Sequence, residues 1–103
     1  IADDIHDIEK VAAATADGAF YNNGQSCCAV ERIYVHEKIA SAYIEAFVKE
    51  VKSWKIGNPF EDGVYIGPLS RAAQISLLEN QISDAVEKGA TILSGGKRIV
   101  GKG

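Results

Sequence analysis

The chain has 103 residues, 47% of them apolar and 24% charged, with a formal net charge of -3, the profile of a soluble globular chain of one domain at most. That balance leaves no basic footprint for nucleic acid or for an anionic membrane surface, and no apolar run reaches the ~20 residues needed to span a bilayer. The two cysteines are neighbours and the only histidines are His6 and His36, which excludes a long-loop disulfide, gives no metal-ligand spacing, and points to a reducing interior, the cytoplasm by default.

Asp3 and Asp4 precede an apolar series, Ile5, Ile8, Val11, Ala12, Ala16 and Ala19, in steps of three and four. This predicts a helix that includes His6 and is opened by the two acids, which suit free amides and the positive end of the dipole. Gly18 weakens its far end, and Asn22, Asn23 and Gly24 read as a turn because these residues tolerate positive φ. Residues 30–35 alternate, with Ile33 and Val35 on one face and Arg32 and Tyr34 on the other, which predicts a strand. From Glu37 to about Trp54 the period becomes helical, with Ala40, Tyr43, Ile44, Phe47, Val48, Val51 and Trp54 on one stripe. Gly57, Asn58, Pro59, Glu61, Asp62, Gly63, Gly67 and Pro68 then predict a loop that no regular element crosses. Ser70 is the expected cap of a third helix carrying Ile75, Leu78, Ile82, Ala85 and Val86, closed by Lys88 and Gly89. Thr91, Ile92 and Leu93 predict a short strand, and Ser94, Gly95 and Gly96 a tight turn into a paired strand over 97–100. Strands separated by helical crossovers make the expected class α/β, with the strands in a sheet sandwiched by helices.

Between the first helix and the first strand stands Gly24-Gln25-Ser26-Cys27-Cys28-Ala29. A thiol in a short Gly- and Ser-containing turn sits where free backbone amides favour thiolate and can also bind the oxyanion formed when sulfur attacks a carbonyl. Composition alone leaves the alternative that either thiol is a small buried hydrophobe. Arg32 is the nearest cation in sequence and reads as structural, because a strand can point it away. Asn22, Gly24 and Gln25 read as scaffold, and His6, His36, Glu61 and Asp62 as solvated side chains. The basic residues Lys97, Arg98 and Lys102 read as a solvated hairpin.

With Phe20-Tyr21-Asn22-Asn23 before it and Glu31-Arg32-Ile33-Tyr34-Val35-His36 after it, this segment closely resembles the nucleophile region of the aldehyde dehydrogenase superfamily. The likeness covers essentially the whole chain: Ala2-Asp3-Asp4-Ile5, Gly57-Asn58-Pro59, Gly67-Pro68-Leu69, Gly89-Ala90 and Gly95-Gly96 resemble family segments in order and at compatible spacings. The resemblance implies that residues 1–103 are part of the catalytic domain, that Cys27 is the nucleophile and Cys28 its packed neighbour, and that the Cys27 amide helps to hold the oxyanion. It implies oxidation of an aldehyde to a carboxylate through a thiohemiacetal and a thioester, with NAD or NADP as cofactor in a parent protein that is a homo-oligomer. Gln74 stands where some members place a cofactor contact, while Leu77 stands where they carry lysine; read without the family, Gln74 is a polar residue on the exposed side of a helix.

The general-base glutamate, the oxyanion asparagine, the nucleotide-binding domain and a downstream ribose-contacting segment are family features for which this sequence has no counterpart. The expectation is therefore a fragment that binds no cofactor tightly and is inactive alone. Two rivals make different demands. A cysteine-dependent acyl transferase or esterase needs a histidine or carboxylate within reach of Cys27. A non-catalytic interaction domain needs both thiols inert.

Overall fold

The computed structural model describes residues 1–99. Their order is α1 (Ile8–Phe20), a 3-10 turn (Tyr21–Gly24), α2 (Glu37–Ser53), β1 (Lys55–Ile56), β2 (Val64–Ile66) and α3 (Ala73–Glu87). The mixture of helix and strand is the expected one, and the second helix falls where its apolar stripe predicts.

Helix α1 starts later than its apolar series suggests. Its N-cap is Asp7, whose side chain accepts the Lys10 amide at 2.9 Å; His6 and Ile5 lie before it. Asp3 is used elsewhere, accepting from Lys38 Nζ at 2.9 Å, so the ion pair ties the N-terminal segment to α2. Helix α2 is capped by His36, whose Nδ1 accepts the Lys38 amide at 3.2 Å. Ser70 does not cap α3: the N-cap position is Ala72, which offers no side-chain acceptor. The C-terminus of α3 follows expectation, with Gly89 at φ 95° and the Gly89 and Ala90 amides donating to Val86 and Ala85 oxygens, both at 2.9 Å. This paired closure uses the one residue type that takes positive φ without strain.

Helices α1 and α2 form the packed centre. Ala12 and Ala16 of α1 are 0% exposed and Tyr43 of α2 is 3% exposed, the most deeply buried side chains of the two helices. Thr15 Oγ1 donates to the Val11 carbonyl at 2.5 Å and lies 2.5 Å from the Tyr43 hydroxyl. A hydroxyl has one proton, so Tyr43 is the donor in the second bond. From Tyr43 the aromatic contacts run outward: Tyr43 to Phe47 at 6.1 Å, Phe47 to Phe20 at 6.3 Å, Phe20 to Trp54 at 5.9 Å edge-on, and Trp54 to Tyr65 at 4.6 Å. The last ring is held in turn by its hydroxyl, which donates to the Asp17 carboxylate. This chain of rings fixes the end of α1, where the thiol-bearing turn begins, against α2 and β2.

The strands differ from the sequence pattern. Residues 55–56 and 64–66 pair in parallel, Lys55 with Val64 and Ile56 with Ile66, so a regular element does enter the loop expected to be irregular. Residues 30–35 and 91–93 carry no ladder among the described residues. The first of these stretches is nevertheless tied at both ends. The Val30 amide donates to Gly18 oxygen at 2.9 Å, and Ile1 donates to Tyr34 oxygen at 2.6 Å while accepting the His36 amide at 2.9 Å. The last two bonds straddle Val35 in the manner of a parallel bridge. Lys97, Arg98 and Ile99 are not a strand, and Arg98 instead grips Glu79 of α3 with two bonds of 3.1 and 3.0 Å; Val100 and Lys102 lie outside the described residues.

The Cα radius of gyration is 14.8 Å, against about 13 Å for a compact chain of this length. Helix α3 buries no side chain completely, and Tyr34, Phe60, Leu77 and Leu93 are each at least half exposed.

Candidate active site

The turn that carries the thiols is built from backbone conformation first. Asn22 and Asn23 have φ of 50° and 59°, and Gly24 has φ 70°, three left-handed residues in succession that swing the chain off the end of α1. Asparagine tolerates this region because its amide can bond locally, as that of Asn22 does. Asn22 Nδ2 donates to Gln25 oxygen at 3.1 Å, while the Gln25 amide and Nε2 return bonds of 3.0 and 3.2 Å to Asn22 oxygen. Asn23 Nδ2 reaches across the molecule to Gly67 and Pro68 oxygens at 3.0 and 2.7 Å. Gln25 Oε1 completes the clamp by accepting the Ser70 amide at 3.0 Å.

Beyond Gln25, Ser26 organises the turn. Its hydroxyl bonds the Tyr21 hydroxyl and accepts the Cys28 amide at 3.3 Å, while its carbonyl accepts the Ala29 amide at 3.1 Å. Gly18 allows the outgoing chain to close over α1: a Cβ there would lie 3.2 Å from Val30 Cγ2. Cys27 and Cys28 are both free and exposed, with Sγ atoms 3.7 Å apart. Among the described residues the amides of Ser26 and Cys27 donate to no protein acceptor, unlike those of Gln25, Cys28 and Ala29. An exposed sulfur with its own amide unengaged can meet a carbonyl carbon and offer a donor to the oxygen.

Gln74 is half-buried in an open groove of about 490 Å³ whose walls include Gly24, Gln25, Ser70 and Arg71. The fold thus brings the second candidate beside the turn although three elements, α2, β1 and β2, intervene in sequence. Its amide and the Arg71 guanidinium are polar groups suited to hydroxyls or anionic oxygens. Leu77 lines the same groove and supplies no charge. Of the other titratable residues considered from sequence, His36 caps α2 and Glu61 pairs with Lys55 at 3.4 Å. Asn23 is the residue sequence reasoning undervalued. Its signal was the Asn-Asn-Gly run, which announces left-handed backbone but not a partner 44 residues away. Among the described residues no three His, Cys, Asp or Glu side chains converge as metal ligands, and no helix is long and apolar enough to cross a membrane.

Comparison with known proteins identifies the frame that holds this turn. The family model described as "Aldehyde dehydrogenase family" matches residues 1–103, and the chain belongs to that family. It is 45% identical over 92 residues to aminoaldehyde dehydrogenase 1, peroxisomal, of Pisum sativum, covering 89% of this chain and 18% of the relative. The same identity and coverage relate it to betaine aldehyde dehydrogenase, chloroplastic, of Amaranthus hypochondriacus. Its fold superposes with a TM-score of 0.91 and 34% identity on an aldehyde dehydrogenase from Bacillus cereus solved as an NAD+ complex, covering 100% of this chain and 21% of that one. The chain therefore spans about a fifth of the proteins it matches, and what it contains is a fragment of the aldehyde dehydrogenase fold.

Proposed function

We propose that these residues are the nucleophile-bearing part of the catalytic domain of an NAD- or NADP-dependent aldehyde dehydrogenase, with Cys27 as the nucleophile. The observation that carries this reading is the exposed Cys27 sulfur on a turn clamped by Asn22, Asn23 and Gln25, with the Cys27 amide unengaged. Family membership supplies the reaction class.

The Cys27 thiolate attacks the aldehyde carbon, forming a C–S bond as the carbonyl π electrons move to oxygen. The Cys27 amide donates to that oxygen, which lowers the barrier by stabilising charge as it develops. Rigidity of the turn holds sulfur and amide in a fixed relation, so little reorganisation accompanies attack. A nicotinamide cofactor, when bound, would supply the hydride-accepting chemistry that the oxidation requires. Gln74, beside Gly24 and Gln25 in a groove that sets Arg71 and Gln81 among Leu69, Leu77 and Leu78, is the residue of this chain suited to hold a hydroxyl-bearing part of it. The thioester left on Cys27 is then cleaved by water to carboxylate and free thiol.

The family's base for that water has no counterpart in residues 1–103, and the isolated chain is expected to turn over no aldehyde. We infer an aldehyde substrate without choosing among aldehydes, and a homo-oligomeric parent. The half-exposed apolar side chains of α3 and residues 92–93 support burial against other parts of that parent. A reducing compartment suits two free neighbouring thiols; the cytoplasm is the simplest, although the named relatives are peroxisomal and chloroplastic.

The test is substitution in the full-length protein. Cys27→Ala should lower aldehyde-dependent reduction of NAD or NADP by about a thousandfold or more, whereas Cys28→Ala should retain most of it. The reverse pattern would assign the nucleophile to Cys28.

A further inference from the structure

We propose that Asn23 is a site of spontaneous deamidation that the folded turn holds shut. The reaction needs a backbone N–H directly after an asparagine, and it runs fastest where that N–H belongs to glycine, because no Cβ crowds the approach. Asn23 is followed by Gly24, Asn22 by Asn23, Asn80 by Gln81 and Asn58 by Pro59. Position 23 is thus the one asparagine of the chain with an unhindered N–H after it, and position 58 has no N–H after it at all.

The folded geometry keeps the reacting atoms apart. Asn23 has φ 59° and ψ 30°. At that ψ the Gly24 nitrogen stands almost opposite Cβ about the Cα–C bond of Asn23, whereas ring closure needs the two on the same side. The side chain is turned away as well, with Nδ2 donating to Gly67 and Pro68 oxygens at 3.0 and 2.7 Å. Both bonds must break and ψ must rotate before nitrogen and Cγ come within the ~3–3.5 Å of a near-attack arrangement. Gln25 resists that opening from the next position, through Nε2 to Asn22 oxygen and through the Ser70 amide bonded to Oε1.

In the opened turn the Gly24 nitrogen attacks Asn23 Cγ. A C–N bond forms, the Cγ–Nδ2 bond breaks, and Nδ2 leaves as ammonia with the proton given up by the Gly24 nitrogen, so that a five-membered imide remains. Water then opens either imide C–N bond, giving aspartate, or isoaspartate with an extra methylene in the main chain. No oxidant or reductant takes part. The new carboxylate has no proton to donate, so it meets the Gly67 and Pro68 oxygens without a bond and the clamp does not re-form. Conversion is one-way, and it falls on the turn that carries both thiols. The inference rests on backbone geometry and does not depend on Cys27 being the nucleophile.

The test keeps the full-length protein in mildly alkaline buffer, one sample native and one unfolded in urea, and follows each of these asparagines by peptide mass mapping over time. In urea, residue 23 should convert ahead of residues 22 and 80, and residue 58 should remain asparagine. The native protein should convert residue 23 more slowly by at least about a hundredfold, since the two bonds of Asn23 and the two of Gln25 each slow opening about fivefold. Gln25→Leu removes two of these ties, so its native rate, measured against its own unfolded rate, should rise about twenty-five-fold. The proposal is overturned if residue 23 converts equally fast in native and unfolded protein, if it converts no faster than residues 22 and 80 in urea, or if folded Gln25→Leu keeps the natural ratio of rates. The first two comparisons use the natural sequence, so they decide the matter even where the variant fails to fold.

Discussion

Gln25 accepts the backbone amide of Ser70 through Oε1 at 3.0 Å, across 45 residues of chain. With the Asn23 bonds to Gly67 and Pro68, this contact ties the thiol-bearing turn to the loop that leads into α3. Replacing Gln25 by Leu should cost about 2 kcal/mol, the net worth of its two side-chain hydrogen bonds, to Asn22 and from Ser70, and should speed hydrogen exchange at the Ser70 amide. For Asn23 two effects separate. Asn23→Ala loses the side-chain bonds, about 1 kcal/mol, and keeps a Cβ at φ 59°; Asn23→Gly loses the same bonds but sheds that Cβ, which offsets about 1 kcal/mol, so it should be the more stable of the two. Urea denaturation of the two variants checks the order.

The centre of the packing rests on Tyr43. Tyr43→Phe removes the hydroxyl that donates to Thr15 and keeps the ring, so a loss of about 1 kcal/mol is expected. Tyr43→Ala also removes the buried ring, and should cost about 3–5 kcal/mol. Thermal unfolding by circular dichroism reads both, with the second variant close to the limit of folding.

How much of this was legible in the sequence depends on the range of the interaction. Helix α2 could be read to within a residue because its stripe from Ala40 to Val51 is a local, repeating signal, and the left-handed turn because Asn-Asn-Gly carries its conformation in its composition. The start of α1 was misplaced because Asp3, Asp4 and Asp7 are equivalent as caps by type; a pairing of Asp3 with Lys38, 35 residues away, separates them. Alternation over 30–35 marked exposed and covered faces correctly, yet a ladder needs a partner strand, and Ile1 alone lies alongside. The clamp on the thiol-bearing turn was invisible for the same reason. Gly67, Pro68 and Ser70 contribute backbone atoms, which no side-chain pattern announces.

The ion pairs give stability a pH dependence at both extremes. The Lys38 ammonium, helped by His36, holds the Asp3 carboxyl below the usual aspartate range. A depressed acid contributes fully above its unfolded pKa of about 3.9 and loses the contribution as pH falls through its lower folded value. Glu9 raises Lys49 above the usual lysine range; that contribution is complete below about pH 10.4 and disappears as pH rises through the higher folded value. Both pairs are solvent-exposed, so the effects are small and salt-sensitive. Carboxyl titration by NMR should show the Asp3 midpoint returning toward the ordinary range in Lys38→Met.

Gln74 lies with Gly24 and Gln25 in one groove, which leads to a kinetic expectation for the full-length enzyme. Gln74→Leu should raise KM for NAD or NADP about fivefold, one hydrogen bond's worth, with kcat little changed. A fall in kcat at constant KM would place Gln74 outside cofactor binding.

The central claim is that the Cys27 sulfur performs the chemistry, and brief alkylation of the full-length enzyme tests it most directly. Samples taken during iodoacetamide treatment are assayed for aldehyde oxidation and mapped by mass spectrometry at residues 27 and 28. The account predicts that Cys27 is modified first and that residual activity equals the fraction of Cys27 left unmodified. Full activity in enzyme whose Cys27 is completely alkylated would contradict it.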